Sequence, residues 1–412
     1  MTTWPFDEGA SDDPVTRALS DIAERVVAQE LGGVVADYIP ALAAADPNDF
    51  GLAVTSVRGR SYSARVPRSP FTIQSISKPF VFALALTEHG RDTVLEHVGV
   101  EPSGEAFNAI SFDQRGRPAN PMINAGALVA TSLISASDAA ERFSRIQEGL
   151  SAFAGRALVL DDAVYRSESE TGDRNRALAT LARASGVLTT TVDEATEPYF
   201  KQCSLLVDCN DLAAMASTLA NGGVNPVTGC RVVSEEVAMD TVSVMTACGM
   251  YDRSGQWNVE VGMPAKSGVS GGILAVAPGQ YGIGVFSPPL DESGNSSRGV
   301  AALNLLSHDF DLHMFHHSHV LPPSAREMIT GPVDSVLTLR LKGRVDFVTA
   351  EDIVAEVARS AETIAAEAFV IDLCDVLSVS SVAARVLRAL VQVLRAGGYS
   401  LHVNDPEGFL RE

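Results

Sequence analysis

Only four lysines, Lys78, Lys201, Lys266 and Lys342, stand among the 31 basic residues of this chain, so arginine is its default cation. A lysine can give up its proton and an arginine cannot, which draws attention to each position that keeps one. Lys78 closes the run Ser75-Ile76-Ser77-Lys78. At a helix start, a three-residue spacing puts the Ser75 hydroxyl and the Lys78 amine on one face. Such an amine, desolvated beside another cation, is neutral and can take the serine proton as general base. The same helix N-terminus offers backbone N–H groups to a developing oxyanion, and Pro79 fits there because a first-turn N–H has no helical partner to lose. Lys266 opens a second run, Lys266-Ser267-Gly268, followed by Val269-Ser270-Gly271-Gly272 and a strand. S-x-x-K alone is a weak signal, because a solvated Ser and Lys on a helix explain most occurrences. Paired with K-S-G, it points to acyl transfer through a serine nucleophile.

Other residues bear on what would be acylated. Glu168 and Asn175 fall in Tyr165–Asn175, a polar, nonperiodic stretch expected to be a loop. An α-amino acid asks for a carboxylate to meet its ammonium and for amide or phenol donors to meet its carboxylate. An ordinary solvated loop has the same composition. Asn124 opens an apolar segment after Asn120-Pro121-Met122-Ile123 and reads equally well as a helix cap. Tyr38, Tyr199 and Tyr251 stand out among seven tyrosines, although most tyrosines are packing residues. His313 and His317 have metal-compatible i, i+4 spacing but no accompanying H-E-x-x-H pattern, so no metal is expected.

The elements that must position these residues follow from periodicity. A first helix is expected over 17–31, then strands over 52–57 and 61–66, then a helix from Ser75 to His89 stopped by Gly90. Helices and Gly-rich loops dominate to about 250, and two strands, 271–277 and 281–286, turn about Pro278-Gly279-Gln280. A sheet with a helical body argues for an α+β or α/β unit. The segment His319–Ser324, with Pro322-Pro323, reads as a boundary. Beyond it Leu337, Leu339 and Leu341 alternate with polar residues as a half-exposed strand. Helices near 350–363 and 380–396 and strands at 369–373 and 399–403 complete a small α/β domain. The last helix sets Arg385, Arg388, Gln392 and Arg395 opposite its apolar face.

Of 412 residues, 46% are hydrophobic and 20% charged, a globular composition for two to three domains. The formal net charge is −20 with no basic tail or stripe, so nucleic acid and anionic membrane are excluded as expected partners. Five cysteines form no CxxC pair, and Cys203 and Cys248 read as core residues. The N-terminal residues have neither a basic nor an apolar leader segment, and no run is long and apolar enough to span a bilayer. A cytoplasmic setting is expected.

Together these stretches resemble the serine-dependent glutaminases of the β-lactamase-like superfamily. The resemblance rests on Val35–Pro40, Gln74–Pro79, Asn120–Ala127, Glu168–Asn175, Leu219–Gly223, Cys248–Asp252 and Pro264–Val269. Each motif is weak and the combination is specific. It implies a β-lactamase-like domain over 1–324, and hydrolysis of the L-glutamine side-chain amide to L-glutamate and ammonia without a cofactor. By motif position it implies Ser75 as nucleophile, Lys78 as its base and Tyr251 as proton relay. Asn124, Glu168, Asn175 and Tyr199 would hold the amino-acid end, and the N–H groups of Ser75 and Val269 would form the oxyanion hole. Tyr38 and Lys266 are carried as neighbours of the site. Residues 333–412 resemble a STAS domain, minimal or truncated, in which Ser380-Ser381 replaces the family's Asp-Ser and speaks against phosphoregulation. A homo-oligomer, dimer or tetramer, is the expected assembly.

Two other readings stand beside this one. A β-lactamase or penicillin-binding-like acyltransferase uses the same motifs, but is expected to carry an export signal. A catalytically idle assembly module would have no reason to keep Ser75, Lys78 and Lys266 together.

Overall fold

The computed structural model describes residues 13–67, 69–104, 110, 112–316, 325–330, 336–363 and 368–411. In chain order the helices are α1 (Pro14–Val27), α2 (Ser77–His97), α3 (Asn124–Leu133), α4 (Ala139–Ala154), α5 (Asp162–Glu170), α6 (Asp173–Ala184) and α7 (Val192–Cys203). They continue with α8 (Cys209–Ala220), α9 (Glu235–Cys248), α10 (Ser254–Glu260), α11 (Ser297–Asp309), α12 (Phe347–Thr363) and α13 (Ser381–Ala396). The strands are β1 (Gly51–Ser56), β2 (Ser61–Ala64), β3 (Phe71–Thr72), β4 (Val159–Leu160), β5 (Leu205–Val207) and β6 (Ala265–Ser267). They end with β7 (Gly272–Ala277), β8 (Tyr281–Phe286), β9 (Ala325–Thr330), β10 (Val336–Val345), β11 (Ala368–Val379) and β12 (Ser400–Asn404). Two compact units emerge, Val26–Asn304 and a second one of Leu305–Glu412 with the described part of Met1–Arg25.

In the larger unit an antiparallel sheet runs β2-β1-β8-β7-β6. β1, β7 and β8 are buried along their whole length, so both sheet faces are covered; β7 and β8 carry no polar side chain but the Tyr281 phenol, and β1 is apolar until Thr55 and Ser56. α8 lies directly on this sheet. A methyl group on Gly284 would sit 2.2 Å from the Cys209 carbonyl, so only glycine permits that approach. The helices start where side chains can satisfy their first N–H groups. Asp138 caps α4, Asp161 caps α5, Ser234 caps α9, and capping boxes open α7 (Thr191, Glu194) and α8 (Asp208, Asp211). Phe80, Phe153, Phe200, Leu128 and Leu212 are among the buried side chains that bind this helical body into one apolar core.

Two expectations from periodicity change here. The helix expected to begin at Ser75 begins at Ser77, after a 3-10 turn over Gln74–Ile76, and it resumes beyond Gly90 (φ 76) to His97. The stretch Tyr165–Asn175, read as a loop, forms the end of α5 and the start of α6. Its inward positions are polar, Glu168 among them, so the apolar period that betrays a helix is missing.

In the smaller unit the sheet order is β12-β11-β10-β9, with β10–β11 and β11–β12 parallel and β9–β10 antiparallel. Leu337, Leu339 and Leu341 are buried as their alternation requires, and Ser380 caps α13. Arg385, on the polar face of α13, is engaged within this unit. It pairs with Asp21, and lies 3.9 Å from Asp309, which also holds Arg25. The boundary at Pro322-Pro323 lies outside the described residues, as does His317.

Candidate active site

Ser75 sits in the 3-10 turn ahead of α2, 8% exposed. The residue before it, Gln74, has φ 51, and Tyr251 has φ 58. Left-handed backbone costs a non-glycine residue of order 1–3 kcal/mol and persists only where the surroundings hold it. Two of the four such residues among those described therefore meet at one place. The Tyr251 hydroxyl is hydrogen-bonded to Ser75. Burial raises the Tyr251 phenol, with the Ser75 bond opposing, so it stays protonated at neutral pH.

Lys78 is 1% exposed and its Nζ donates to Asn124 Oδ1 at 2.7 Å. Burial pulls its amine down to about 8, against the opposing pull of Cys203 and Glu168. Lys266, on β6, is fully buried, and its Nζ donates to the Ser267 carbonyl at 2.8 Å. That amine stands 3.9 Å from the centre of the Tyr251 ring. Burial, and then Lys78, hold it well below the usual lysine range. Two amines removed from water beside one another favour loss of a proton.

Asn124 is the first residue of α3 and is not its cap, because Ile123 holds the N-cap position; the Asn120 side chain accepts from the N–H groups of Met122 and Ile123 just ahead of the helix. Its amide instead joins Lys78 to α6, donating to Asn175 Oδ1 at 2.9 Å. Glu168 is 8% exposed on the last turn of α5. Burial raises its carboxyl to about 7, with the Gln74 side chain and Lys78 opposing. Tyr199, buried on α7, bonds Cys203, and its phenol is raised by burial first. Val269 follows Gly268, where an added methyl would lie 3.0 Å from the Ile73 carbonyl and 3.3 Å from Gln74 Cβ. The exit of β6 thus packs against the turn that carries Ser75. The Val269 N–H has no hydrogen-bond acceptor among the described residues.

A cleft of about 910 Å³ opens between the segment around Gly33–Tyr38 and that around Leu290–Gly294, and Tyr38 and Tyr251 form part of its wall. Tyr38 is half exposed there. Among the described residues no group of three or more His, Cys, Asp or Glu could hold a metal ion.

Several participants escaped the sequence reading. Gln74 bridges to Glu168, Ser77 Oγ donates to the Gln74 carbonyl at 2.8 Å, and Gln202 Nε2 donates to Ser77 Oγ at 3.3 Å. Cys203, expected to be plain core, is buried but bonds both Ser77 and Tyr199. Ser77 lies inside the S-x-x-K run and Gln74 just before it, which was the available signal; nothing marked Gln202.

A buried serine and a buried lysine thus lie together where the helical body meets the antiparallel sheet. The family model described as Glutaminase matches residues 33–315, and that of the STAS domain matches residues 329–412. The chain belongs to the glutaminase family. The glutaminase of Corynebacterium glutamicum is 40% identical over 399 residues, covering 96% of this chain and 95% of that one. Glutaminase 1 of Bradyrhizobium diazoefficiens is 48% identical over 318 residues, which cover 77% of this chain but only 52% of the longer relative. A crystal structure of Mglu in its glutamate form aligns with TM-score 0.70 at 37% identity, covering 96% of this chain and 99% of that one.

Proposed function

We propose that this chain hydrolyses the side-chain amide of L-glutamine to L-glutamate and ammonia through an acyl-enzyme on Ser75. The observation that carries the reading is Lys78, buried one helical turn beyond Ser75 with its amine drawn down to about 8. Ser75 Oγ attacks the amide carbonyl while its proton passes to neutral Lys78, with Tyr251 relaying at the serine oxygen. The oxyanion is received by the N–H groups of Ser75 and Val269. Collapse expels ammonia, which takes up the proton, and water then cleaves the ester to release glutamate and restore the serine. Glu168 meets the α-ammonium, and Asn124, Asn175 and Tyr199 hold the rest of the amino-acid end. Tyr38 at the cleft and Lys266 behind the Tyr251 ring are supporting neighbours.

The name of the glutamate form of Mglu fits this choice of product. Glutaminase domain over 1–324 and STAS domain over 333–412 is the proposed division of labour. Five free thiols suit a reducing, cytoplasmic compartment. A homo-oligomer is the proposed assembly, tested by sedimentation of the full chain.

Ammonia release from L-glutamine, assayed beside hydrolysis of a chromogenic cephalosporin, tests the activity. Ser75→Ala should keep its fold and lose several orders of magnitude in turnover. Retention of more than about a tenth of wild-type turnover removes Ser75 as nucleophile. Lys78→Arg should be nearly as damaging, because a guanidinium cannot accept the proton.

A further inference from the structure

Beneath Ser75 a directed chain of hydrogen bonds crosses three helices. Thr131 Oγ1 of α3 donates to Gln202 Oε1 of α7 at 3.1 Å. Gln202 Nε2 donates to Ser77 Oγ at the start of α2 at 3.3 Å, and Ser77 Oγ donates to the Gln74 carbonyl at 2.8 Å. Each hydroxyl spends its single proton in the same direction, and the Gln202 amide can satisfy both neighbours in one orientation only. Thr131, Gln202 and Ser77 are all fully buried, so water cannot replace a missing partner. The chain ends on a residue whose backbone is held at φ 51, immediately before the proposed nucleophile.

We propose that Gln202 is a positioning residue which, through Ser77, fixes the Gln74 peptide and thereby aims Ser75. Resting on the acyl-enzyme reading, this gives a buried glutamine with no access to substrate a role in turnover. An apolar residue would fill that space between α2, α3 and α7 at lower desolvation cost. A glutamine there joins the two helices that flank the turn to the turn itself. Because the effect passes through the aim of Ser75, its loss should appear in kcat. The amino-acid end of the substrate is reached only through the Gln74 side chain, which bonds Glu168, and not through the Gln74 carbonyl, so kcat should fall by more than KM rises.

The test uses the full chain with L-glutamine as substrate and thermal melting as the check on folding. Gln202→Leu should lower kcat by about tenfold or more, the scale of a small misplacement of a reacting group. Thr131→Val, which keeps the side-chain shape, should lower kcat in the same direction, and Thr131→Ser should restore it to within about threefold of wild type. Ser77→Ala combined with Gln202→Leu should be no slower than the worse single variant, because both break one chain. If Gln202→Leu does not fold, the Thr131 pair decides. Wild-type kcat in folded Thr131→Val or Gln202→Leu, equal damage from Thr131→Ser and Thr131→Val, or additive losses in the double variant would overturn the proposal. Ser75→Ala is run alongside. Residual turnover there removes the nucleophile, whereas an inert Ser75→Ala with an unimpaired Gln202→Leu removes only the positioning role.

Discussion

A carboxylate held at 8% exposure is costly until a cation joins it, and Glu168 is such a group. Its carboxyl is raised from 4.5 to about 7, mainly by burial. The folded protein therefore binds more protons than the unfolded chain between those two values, and this group's contribution to stability falls as pH rises through them. Glu168→Gln removes that loss. The melting temperature of the variant relative to wild type should thus increase between pH 4.5 and pH 7.5 without substrate, with no such trend counting against the buried charge. Glutamine binding should meanwhile weaken by about 1.5–3 kcal/mol, the scale of a charge-assisted bond. An unchanged apparent affinity would remove Glu168 from the ammonium site. The same carboxyl, with Lys78 lowered to about 8, sets the pH profile. In the proposed mechanism binding uses ionised Glu168 and attack uses neutral Lys78, so kcat/KM should climb from pH 6 to above 8, and a flat profile would contradict both roles. Ser75, Lys78 and Lys266 were legible because a serine or a rare lysine at a motif carries its chemistry in its name. Gln202 was not, since a buried polar residue on the amphipathic α7 looks like a solvent-facing one, and Thr131 was not, since a lone threonine in the wholly buried α3 looks like ordinary core.

Among the elements, the meeting of α9 with β6 ties the tyrosine to the second lysine. Gly249 ends α9, and a methyl group there would lie 1.9 Å from the Ala265 carbonyl, next to Lys266. Neither the helix end nor the strand can yield without moving Tyr251 or Lys266. Gly249→Ala should therefore lower the melting temperature, costing about 1–3 kcal/mol or more by overpacking, and reduce turnover well beyond what altered affinity explains. Wild-type turnover in the folded variant would show that this junction does not set the site. The long helices and buried strands were readable from apolar periods, because one stripe or a continuous run faces the core. The strands β3, β4 and β5 were not, having two or three residues each, too few for any period. The α5–α6 junction failed for the opposite reason. It is long enough, but Glu168 occupies an inward position where an apolar residue would have announced a helix.

Across the whole molecule, every proposed site residue falls within the unit Val26–Asn304. Ending the chain after Ser324 should accordingly keep turnover at saturating glutamine. It also strips Asp21 and Asp309 of Arg385, so the truncated protein should melt at a lower temperature and its sedimentation is the check on assembly. Complete loss of activity in a folded truncation would place part of the site's support beyond that point. The central sheet has a further implication for biosynthesis. β1 pairs with β8, Gly51 opposite Phe286, so nearly the entire helical body is translated between two adjacent strands. At about 5–20 residues per second, a nascent β1 waits on the order of tens of seconds for its neighbour. Until β8 emerges, β1 has only the short β2 beside it and an apolar edge open to other chains. A stop codon before Tyr281 should therefore leave that edge open for good, giving an aggregating fragment rather than a smaller enzyme, and a long pause there should prolong the same exposure.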